Sequence, residues 1–548
     1  MYDYVIVGAG SAGCVLAARL SEDADVKVCL LEAGPADSHP LIHMPLGIMW
    51  MMRSKVLNWN FYTRSEPELN GRSLFWPRGR TLGGSSSSNA MCYMRGHPSD
   101  YDRWEKLGNP GWSFRDLLPY FKRSQNQERG ASDLHGVGGP LNVADLRHPN
   151  VLSRTFIQAG IQAGLPFNDD FNGVEQEGVG LFQVTQKNGR RCSAAASYLK
   201  QAKNRPNLTV ITGAHARHVL FEGKRAAGVE YVKDGKIEQV RASGEVLLSA
   251  GAIQSPQLLM LSGVGERAQL EAARIAVHTE LPGVGKNLQD HLDVIVTDSC
   301  RKAVSWGITV KNILMGAWNL LNYALRGNGV FTTNGAEGCG FAKSAPEEAI
   351  PDLQFHFSPA RLSRHSLDLG FMVGEGYSLH VCNLRPRSRG EIRLNGADPY
   401  DNPDIRPNYL SDPDDMERMV RGVRLARKIM AAPAFDLYRG ATLRPDGPCN
   451  TDVEVRQFVR QRAETIYHPV GTCKMGSDPL AVVDAQLRVH GVQGLRVVDA
   501  SIMPELVGGN TNAPVIMIAE KASDMIKAAR RAGQRGEAAT AELAQPVS

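Results

Sequence analysis

The sequence predicts an α/β protein in which a Rossmann-like domain is combined with an α+β domain that contains an antiparallel sheet. Three observations predict this architecture. The chain opens with a strand–turn–helix–strand unit, short apolar strands return later in the sequence, and alternating apolar and polar residues occupy part of the region between them. With 548 residues the chain is too long for one hydrophobic core, so at least two lobes are expected.

The N-terminal unit has the order strand, turn, helix, strand and acidic residue. Residues 4–7 are an apolar run typical of a buried parallel strand, residues 12–20 are predicted to be helical, and residues 26–31 form a second strand. Glu32 ends that strand, where its carboxylate can accept hydrogen bonds from both hydroxyls of a ribose. A glycine-rich turn before an ordinary packed helix would leave Glu32 unexplained, so the unit favours a bound dinucleotide, either FAD or NAD.

The turn in this unit has the pattern G-x-G-x-x-G, formed by Gly8, Gly10 and Gly13. Gly8 permits the tight turn, Gly10 lets the backbone approach a pyrophosphate, and Gly13 lets the helix and the strand touch. The phosphates would meet unpaired N–H groups at the positive end of the helix. Ser11 and Ala33 also belong to the expected cofactor site.

Composition and charge narrow the class of protein. Apolar residues at 43% and charged residues at 22% are typical of a globular protein, and a net charge of +5 gives no reason to expect nucleic acid as a partner. The nine cysteines lack a C-x-x-C pair, which argues against a disulfide framework and a zinc site and suits a reducing cytoplasm. We therefore expect no metal and, because the first strand begins almost at the initiator Met, no signal peptide.

Two later segments are predicted to join the N-terminal sheet. Residues 245–249 form an apolar strand that leads into a helix at 255–262, and residues 495–498 form another strand that ends at Asp499 and Ala500. The Rossmann-like, cofactor-binding domain is therefore discontinuous in the sequence. We expect it to cover residues 1–150, 190–296 and 480–531.

The remaining interior ranges, 151–189 and 297–479, are assigned to a substrate-binding domain. Alternating runs at 353–357 and 377–384 predict its antiparallel sheet, a structure that commonly has one face available to a pocket. Residues 532–548 are rich in Ala, Gly, Glu and Gln and are predicted to form a disordered tail.

A second glycine-rich segment, residues 77–96, is a further cofactor signal. Gly83 and Gly84 precede four serines that begin with Ser85, and Asn89 follows them. A loop so dense in N–H and hydroxyl donors suits a pyrophosphate or the polar edge of a flavin. A flexible surface linker is the alternative, but the largely apolar residues after Asn89 favour a buried cofactor loop.

Seven motifs occur together and in order along the chain. They are G-x-G-x-x-G at 8–13, Glu32, PRGRTLGGSSSSNAM from Pro77, GAIQSPQLLMLSGVG at 251–265, VGKNLQDH at 284–291, YHPVGTCKMG at 467–476 and VVDASIMPELVGGNTNAP at 497–514. Over nearly the whole chain this combination resembles the glucose–methanol–choline (GMC) family of FAD-dependent oxidoreductases. Within the family it is most similar to bacterial choline-dehydrogenase-like and membrane-associated, alkane-pathway alcohol dehydrogenases.

The resemblance implies an enzyme that oxidises primary aliphatic or arylalkyl alcohols to aldehydes. Hydride would pass to flavin N5, and the electrons would continue to a quinone. The FAD adenosine would lie on Glu32, and the flavin ring would lie between residues 83–89 and 499–514. The resemblance also implies cofactor contacts at Ala216, Asp499, Ala500 and Pro514.

His468 and Asn512 are the expected catalytic pair and match the paired catalytic positions of the family. An alcohol releases hydride more easily as its hydroxyl loses a proton, and a neutral imidazole near pH 7 is a suitable proton acceptor. Pro469 restricts the backbone of His468 to extended geometry, which would hold the ring still. Asn512 precedes a proline-containing turn into a helix, and its amide can donate to the substrate oxygen.

Further predictions concern the attachment of FAD and three other histidines. Some members of the family attach FAD covalently through a histidine in the glycine–serine loop, where this chain has Ser88. Serine cannot form that bond, so we expect non-covalent FAD. His291 matches a family feature and is interpreted as a structural residue near the domain junction. His43 and His356 are candidate pocket residues without motif support.

Two apolar stretches, residues 41–52 and 313–325, raise the question of membrane contact. Both are shorter than the roughly 20 residues that span a bilayer. The second stretch, with Lys311 before it and Arg326 after it, is typical of an interfacial amphipathic helix. Ordinary cover of the substrate pocket is the alternative for both. We expect a cytoplasmic enzyme that binds the inner membrane peripherally.

Four other functions remain open at this point. Within the same family, a choline dehydrogenase would take a quaternary ammonium alcohol, and an alcohol oxidase would use oxygen instead of a quinone. A hydroxynitrile lyase would bind FAD without redox turnover. A non-catalytic flavoprotein would lack the pair His468 and Asn512, and the presence of both residues argues against it.

Overall fold

Two seven-stranded sheets organise the protein in the computed structural model, which describes residues 1–364 and 367–543. Their strands are β1 Tyr2–Val7, β2 Val28–Glu32, β3 Gly178–Leu181, β4 Leu208–Thr212, β5 His215–Glu222, β6 Arg225–Lys233, β7 Lys236–Leu248, β8 Leu292–Cys300, β9 Gly338–Ala342, β10 Leu353–Ser358, β11 Gly376–Asn383, β12 Arg439–Arg444, β13 Glu464–Thr465 and β14 Leu495–Val497. Shorter strands pair separately, namely Phe61–Tyr62 with Phe75–Trp76, Leu141–Asp145 with Gln125–Gln127 and Gln183–Val184, Gln186–Lys187 with Arg190–Arg191, Val264–Gly265 with Thr279–Glu280, and Glu391–Arg393 with Asp404–Arg406.

The first sheet has the strand order β4-β2-β1-β7-β6-β5, and β14 also pairs with β7. The pairs β4–β2, β2–β1, β1–β7 and β7–β14 are parallel, whereas β5–β6 and β6–β7 are antiparallel. All five residues of β2 are buried, as expected for a strand inside a parallel sheet. The segments at 245–249 and 495–498 therefore return to the N-terminal sheet, as predicted.

The second sheet has the order β12-β8-β11-β10-β9-β3, with β13 also paired to β8, and its strand pairs are antiparallel. The predicted α+β architecture with an antiparallel sheet is confirmed. The two runs at 353–357 and 377–384 become β10 and β11. The domain boundary expected after residue 296 falls inside β8, whose residues all belong to this sheet.

The α-helices are α1 Ser11–Leu20, α2 Pro40–His43, α3 Ile48–Met51, α4 Pro98–Lys106, α5 Phe114–Ser124, α6 Val151–Gln162, α7 Lys200–Ala202, α8 Gly251–Leu261, α9 Arg267–Ala272, α10 Val310–Leu314, α11 Gly316–Arg326, α12 Pro413–Met430, α13 Asp452–Arg462 and α14 Asn512–Leu543. α14 packs against α1 and α5. It continues into the predicted disordered tail, because the alanines and glutamates there favour a helix. Residues 544–548 of that tail lie outside the described residues.

The two apolar stretches differ in their environment. Residues 46, 48, 49, 51 and 52 of the first stretch line the large cavity described below. This position agrees with the alternative that the first stretch covers the substrate pocket. The second stretch lies on α10 and α11, which contain no buried residue. Within the part of the chain that the structure describes, no helix has the length and hydropathy needed to cross a bilayer.

Candidate active site

A cavity of about 620 Å³ connects the two sheets. It begins at the carboxyl ends of β1, β2, β7 and β14, the edge at which open α/β sheets usually bind ligands, and it reaches β10 and β11. The predicted site residues that line it are Gly8, Gly10, Ser11, Glu32, Ala33, Gly84, Ser85, Asn89, Ala216, His468, Asp499, Ala500 and Asn512. The fold therefore brings the separate motifs of the sequence to one place.

Three predicted cofactor residues, Gly13, Gly83 and Pro514, do not belong to the cavity lining. A Cβ on Gly13 would lie 1.9 Å from the carbonyl oxygen of Gly8, so the absence of a side chain lets the helix approach the turn that follows β1, close to the predicted contact between helix and strand. Gly83 has φ +88° and donates its N–H to the carbonyl of Ala9 at 2.7 Å, which ties its loop to the turn. Pro514 lies in the first turn of α14, where proline is tolerated.

Glu32 is buried at the end of β2 and joins this strand to the glycine turn. Its carboxylate accepts the backbone N–H of Ala9 at 2.9 Å and that of Gly34 at 2.8 Å. Burial raises the pKa of Glu32 to about 7. Because a carboxylate has about four acceptor positions, these two bonds leave capacity for the hydroxyls of a ribose.

The backbone around the turn leaves room for a large polar group. A Cβ added to Gly10 would have one neighbour within 4 Å, the carbonyl oxygen of Ser249 at 3.8 Å, so the space beside this residue is open. A Cβ added to Gly84 would lie 2.8 Å from the Cα of Gly10, so the two loops approach each other closely. Ser249 Oγ and Arg80 Nε are buried without a hydrogen-bond partner, and both residues line the cavity. Close backbone approach combined with unmatched polar atoms fits a dinucleotide cofactor.

The carboxylate of Asp499, a predicted cofactor contact, is hydrogen-bonded to groups of the protein itself. It accepts the N–H groups of Gly251 and Ser501, each at 2.8 Å, and the hydroxyls of Ser255 and Ser501, each at 2.5 Å. Burial raises the pKa of Asp499. The residue therefore ties the end of β14 to the start of α8 and orders the wall of the cavity.

His468 lies within a chain of hydrogen bonds. Its Nδ1 is 3.0 Å from Nδ1 of His291, and Nε2 of His291 is 3.1 Å from the carbonyl oxygen of Leu384. On the other side of the ring, the amide of Asn510 lies 3.3 Å from Nε2 of His468, and Gln354 donates to the Asn510 oxygen at 3.2 Å. His291, interpreted from the sequence as structural, is therefore in direct contact with the candidate base.

These partners define the tautomer of both rings. A carbonyl oxygen can only accept, so His291 donates to Leu384 from Nε2. Burial lowers the pKa of His291 to about 3, so the ring is neutral and its Nδ1 accepts. His468 then donates from Nδ1, and burial, with a smaller effect of His291, lowers the pKa of His468 well below 6.5. Nε2 of His468 consequently carries a lone pair, which accepts the amide of Asn510 and is the group that a general base requires.

The backbone of His468 is held from two directions. Its N–H donates to Asp290 at 2.7 Å, and Asp290 also accepts the hydroxyl of Tyr409. The preceding residue, Tyr467, has φ +70°, and Arg78 donates to its carbonyl at 2.7 Å. Backbone strain that surrounding contacts maintain is concentrated at functional sites in proteins.

Asn512 lines the cavity, but the amide in hydrogen-bond contact with His468 belongs to Asn510. The Asn512 side-chain oxygen instead accepts the hydroxyl of Ser11 at 2.8 Å, which links the start of α14 to the glycine turn. Sequence reasoning missed Asn510. Both asparagines lie in the segment Gly-Asn-Thr-Asn, and the conformation of that turn decides which of them meets the ring.

β10 and β11 form the far wall of the cavity. His356 faces His380 across the sheet, and both line the cavity. His356 also stacks on Phe182 with ring centres 5.3 Å apart. Asp293 of β8 is fully buried and lies 2.7 Å from Nδ1 of His380. His43, the other candidate from the sequence, is outside the lining, and its ring contacts a backbone carbonyl at 2.8 Å.

The fold and the site define a two-domain oxidoreductase in which a dinucleotide cavity lies beside a buried, neutral base. Two family models, both described as GMC oxidoreductase, match the chain over residues 2–293 and 386–519. The chain belongs to the GMC oxidoreductase family, whose members depend on FAD. The resemblance predicted from the motifs is confirmed.

Named relatives cover almost the whole chain. An alcohol dehydrogenase [acceptor] of Pseudomonas putida is 52% identical over 96% of this chain and 96% of its own length. A mitochondrial choline dehydrogenase of Homo sapiens is 47% identical over 96% of this chain and 90% of its own. Among solved structures, pyridoxine 4-oxidase from Mesorbium loti has a TM-score of 0.87 at 35% identity and covers 96% of this chain and 99% of its own. A formate oxidase of Aspergillus oryzae, studied for FAD modification, has a TM-score of 0.89 at 27% identity and covers 97% of this chain and 98% of its own.

Proposed function

We propose that the protein is an FAD-dependent alcohol dehydrogenase that oxidises uncharged primary alcohols, aliphatic or arylalkyl, to aldehydes. The observation that carries this proposal is the buried, neutral His468 at the wall of the cavity that the dinucleotide motifs line. The Pseudomonas putida relative, 52% identical, supports the reaction by its name. An imidazole base and a hydride acceptor are the two components that alcohol oxidation needs.

Each side chain at the reacting end has a defined task. Nε2 of His468 takes the proton of the substrate hydroxyl, while the bond from Nδ1 to His291 holds the ring as it becomes positively charged. Asn510, whose amide is 3.3 Å from Nε2 of His468, is the asparagine placed to donate to the substrate oxygen, whereas the predicted donor Asn512 is bonded to Ser11 at the glycine turn. Bound FAD supplies the acceptor for the hydride of the alcohol carbon.

The residues that would hold FAD follow from the cavity lining. Gly10 and Gly84 leave the backbone accessible to the pyrophosphate, and Glu32 accepts the ribose hydroxyls. Ala216, on β5, would contact the adenosine end of FAD, and Ala500, after β14, would contact the phosphate–ribityl region. This assignment extends the family's cofactor to individual positions of this chain.

The cavity chemistry supports an uncharged substrate rather than choline. Among the described lining residues, the carboxylates are those of Glu32, Asp401 and Asp499. Glu32 and Asp499 belong to the cofactor motifs, and Asp401 follows Tyr400, whose ring stacks on His215 of β5. None of the three belongs to the second sheet, which forms the substrate wall, so a quaternary ammonium group at that wall would have no carboxylate partner lining the cavity and would depend on aromatic rings such as those of Trp306 and Tyr467.

Anaerobic mixing of the purified enzyme with alcohols tests the proposal. We expect primary aliphatic and arylalkyl alcohols to bleach the flavin absorbance, with a second-order rate constant at least about tenfold above that for choline, because the charge of choline would have no carboxylate partner at the substrate wall. A tenfold difference corresponds to about 1.4 kcal/mol. Faster bleaching by choline would contradict the substrate class. Failure of every alcohol to bleach the flavin would favour a non-redox lyase.

The electron acceptor is proposed to be a quinone. Re-oxidation of the reduced enzyme by a soluble quinone analogue is expected to be faster than re-oxidation by air, and rapid release of hydrogen peroxide in air would instead identify an oxidase. Because membrane quinones are dissolved in lipid, this acceptor accords with a cytoplasmic enzyme that contacts the inner membrane peripherally, which we include in the proposal.

FAD is expected to be non-covalent. Ser88 lines the cavity at the loop position where some family members carry the linking histidine, and a serine hydroxyl cannot form that bond. Precipitation of the holoenzyme with acid should leave a colourless pellet and place all the FAD in the supernatant. A pellet that keeps the flavin absorbance after washing in denaturant would contradict this prediction and indicate another point of attachment.

A further inference from the structure

α10 and α11 expose apolar side chains that a monomer in water would ordinarily bury. Neither helix contains a buried residue. Six large apolar side chains are between 49% and 77% exposed, namely Val310, Ile313, Leu314, Trp318, Leu321 and Leu325. We call these six residues the α10–α11 surface. A concentrated apolar surface of this kind marks a place where a partner or a membrane binds.

The arrangement of these side chains favours a planar partner. Trp318, Leu321 and Leu325 follow the spacing i, i+3 and i+7, so they share one face of α11, and Leu314 ends α10 two residues before α11 begins. An exposed apolar face that includes a tryptophan is typical of helices that lie in the interface of a bilayer.

The charges around the α10–α11 surface identify the lipid. Residues 302–336 contain Lys and Arg but no Asp or Glu, and the same holds for residues 38–65 and 186–203. These segments are neighbours in space. The tight turn at Gly189 approaches the carbonyl of Gly327 at the end of α11, and Tyr323 of α11 donates to the carbonyl of His43 at 3.5 Å. Glu375 contacts the first of these segments and accepts the N–H and hydroxyl of Ser305, whereas the three segments themselves carry only basic charges, which are complementary to anionic headgroups.

The α10–α11 surface adjoins two segments that line the cavity. Ile308, shortly before α10, donates its N–H to the carbonyl of Met372 at 2.9 Å, and Met372 lines the cavity. On the other side, α11 contacts the segment around His43, which leads into cavity-lining Leu46 and Ile48. A molecule that leaves a bilayer at this surface would therefore enter the protein beside residues of the cavity lining.

We propose that the α10–α11 surface docks on a bilayer containing anionic lipid and that long-chain alcohols enter the cavity from that bilayer. The docking assigns a surface and a lipid to the membrane contact included in the proposed function, and the delivery of alcohol rests on the proposed reaction. No covalent step is involved. The alternative occupant, a second copy of the chain, is an outcome of the test below.

Flotation of the holoenzyme with vesicles tests the docking. The probes are vesicles of equimolar phosphatidylglycerol and phosphatidylcholine and vesicles of phosphatidylcholine alone. The test variant combines Leu314→Glu with Leu325→Glu, and the matched control combines Val174→Glu with Ile237→Glu, two apolar residues that are 85% and 60% exposed elsewhere. We expect the wild type and the control to float with the anionic vesicles and the test variant to bind them about tenfold more weakly.

Turnover separates docking from catalysis. All three proteins should oxidise a short, water-soluble alcohol at the same rate without vesicles, whereas the test variant should lose about tenfold in kcat/KM for dodecan-1-ol carried in anionic vesicles. Undiminished flotation of the test variant would overturn the proposal, as would equal binding to both vesicle types. A wild type that is dimeric and does not bind vesicles, together with a test variant that is monomeric, would assign the surface to contact with a second copy of the chain. If the wild type did not oxidise the short alcohol at all, the proposed function itself would be contradicted.

Discussion

Replacing His468 by alanine is expected to lower kcat by about 10²–10⁴-fold while the enzyme retains FAD. The imidazole is the group whose Nε2 lone pair lies at the cavity wall, and it accepts the substrate proton as the carbon releases hydride. The cofactor contacts come from other residues, so the flavin absorbance per protein should not change. The rate of flavin reduction, measured by anaerobic stopped flow at saturating alcohol, is the direct readout.

The same assignment determines the pH dependence. The folded-state pKa of His468 is lowered below the ordinary 6.5, so the base stays unprotonated as the pH falls through 6.5 and is lost only at more acidic pH. The acidic limb of kcat/KM should accordingly lie well below pH 6.5. His43→Ala is the matched control, because that ring is outside the cavity lining, and its kcat should stay near the wild-type value. Wild-type turnover in His468→Ala would exclude His468 as the base.

Replacing His291 by alanine is expected to lower kcat by about 10- to 100-fold, the range for groups that orient a functional histidine. His291 acts through His468. With its own proton directed at Leu384, it presents an acceptor to Nδ1 of His468 and so keeps the lone pair of His468 on Nε2. Without this acceptor, the His468 ring can adopt the other tautomer or rotate, and a ring in the wrong tautomer cannot accept the substrate proton.

His291→Asn separates positioning from a merely structural effect. The asparagine oxygen can accept the Nδ1 proton of His468, so this variant should recover most of the lost kcat. Nitrogen-15 NMR of the histidine rings should show Nδ1 of His468 protonated in the wild type and in His291→Asn, and a mixture of tautomers in His291→Ala. If both variants lost activity equally and the spectrum of His468 did not change, His291 would be a packing residue only.

The cofactor half of the site could be predicted because its signals are local. The glycine turn at residues 8–13, the strand that ends at Glu32 and the loop at residues 83–89 each depend on neighbours within a few residues, and the structure places all three at one cavity. Periodicity likewise identified β10 and β11. Backbone conformation of this kind follows from residue type and spacing.

Other features depended on contacts between distant residues. His291 and His468 are 177 positions apart, and nothing in either local sequence indicates that the two rings meet. The choice between Asn510 and Asn512 depended on how one turn enters α14. The boundary expected after residue 296 fell inside β8 because strand pairing, rather than composition, decides which sheet takes a residue.

The sequence by itself determined the α/β architecture, the dinucleotide turn and the identity of His468 as the candidate base, since these follow from residue type at fixed spacing. Only the tertiary structure decided which nitrogen of His468 carries the lone pair, which asparagine contacts it, and that α10 and α11 face outward while residues 46–52 contribute to the cavity lining. The physical reason is that protonation and exposure depend on burial and on hydrogen-bond partners, which folding brings together from distant parts of the chain.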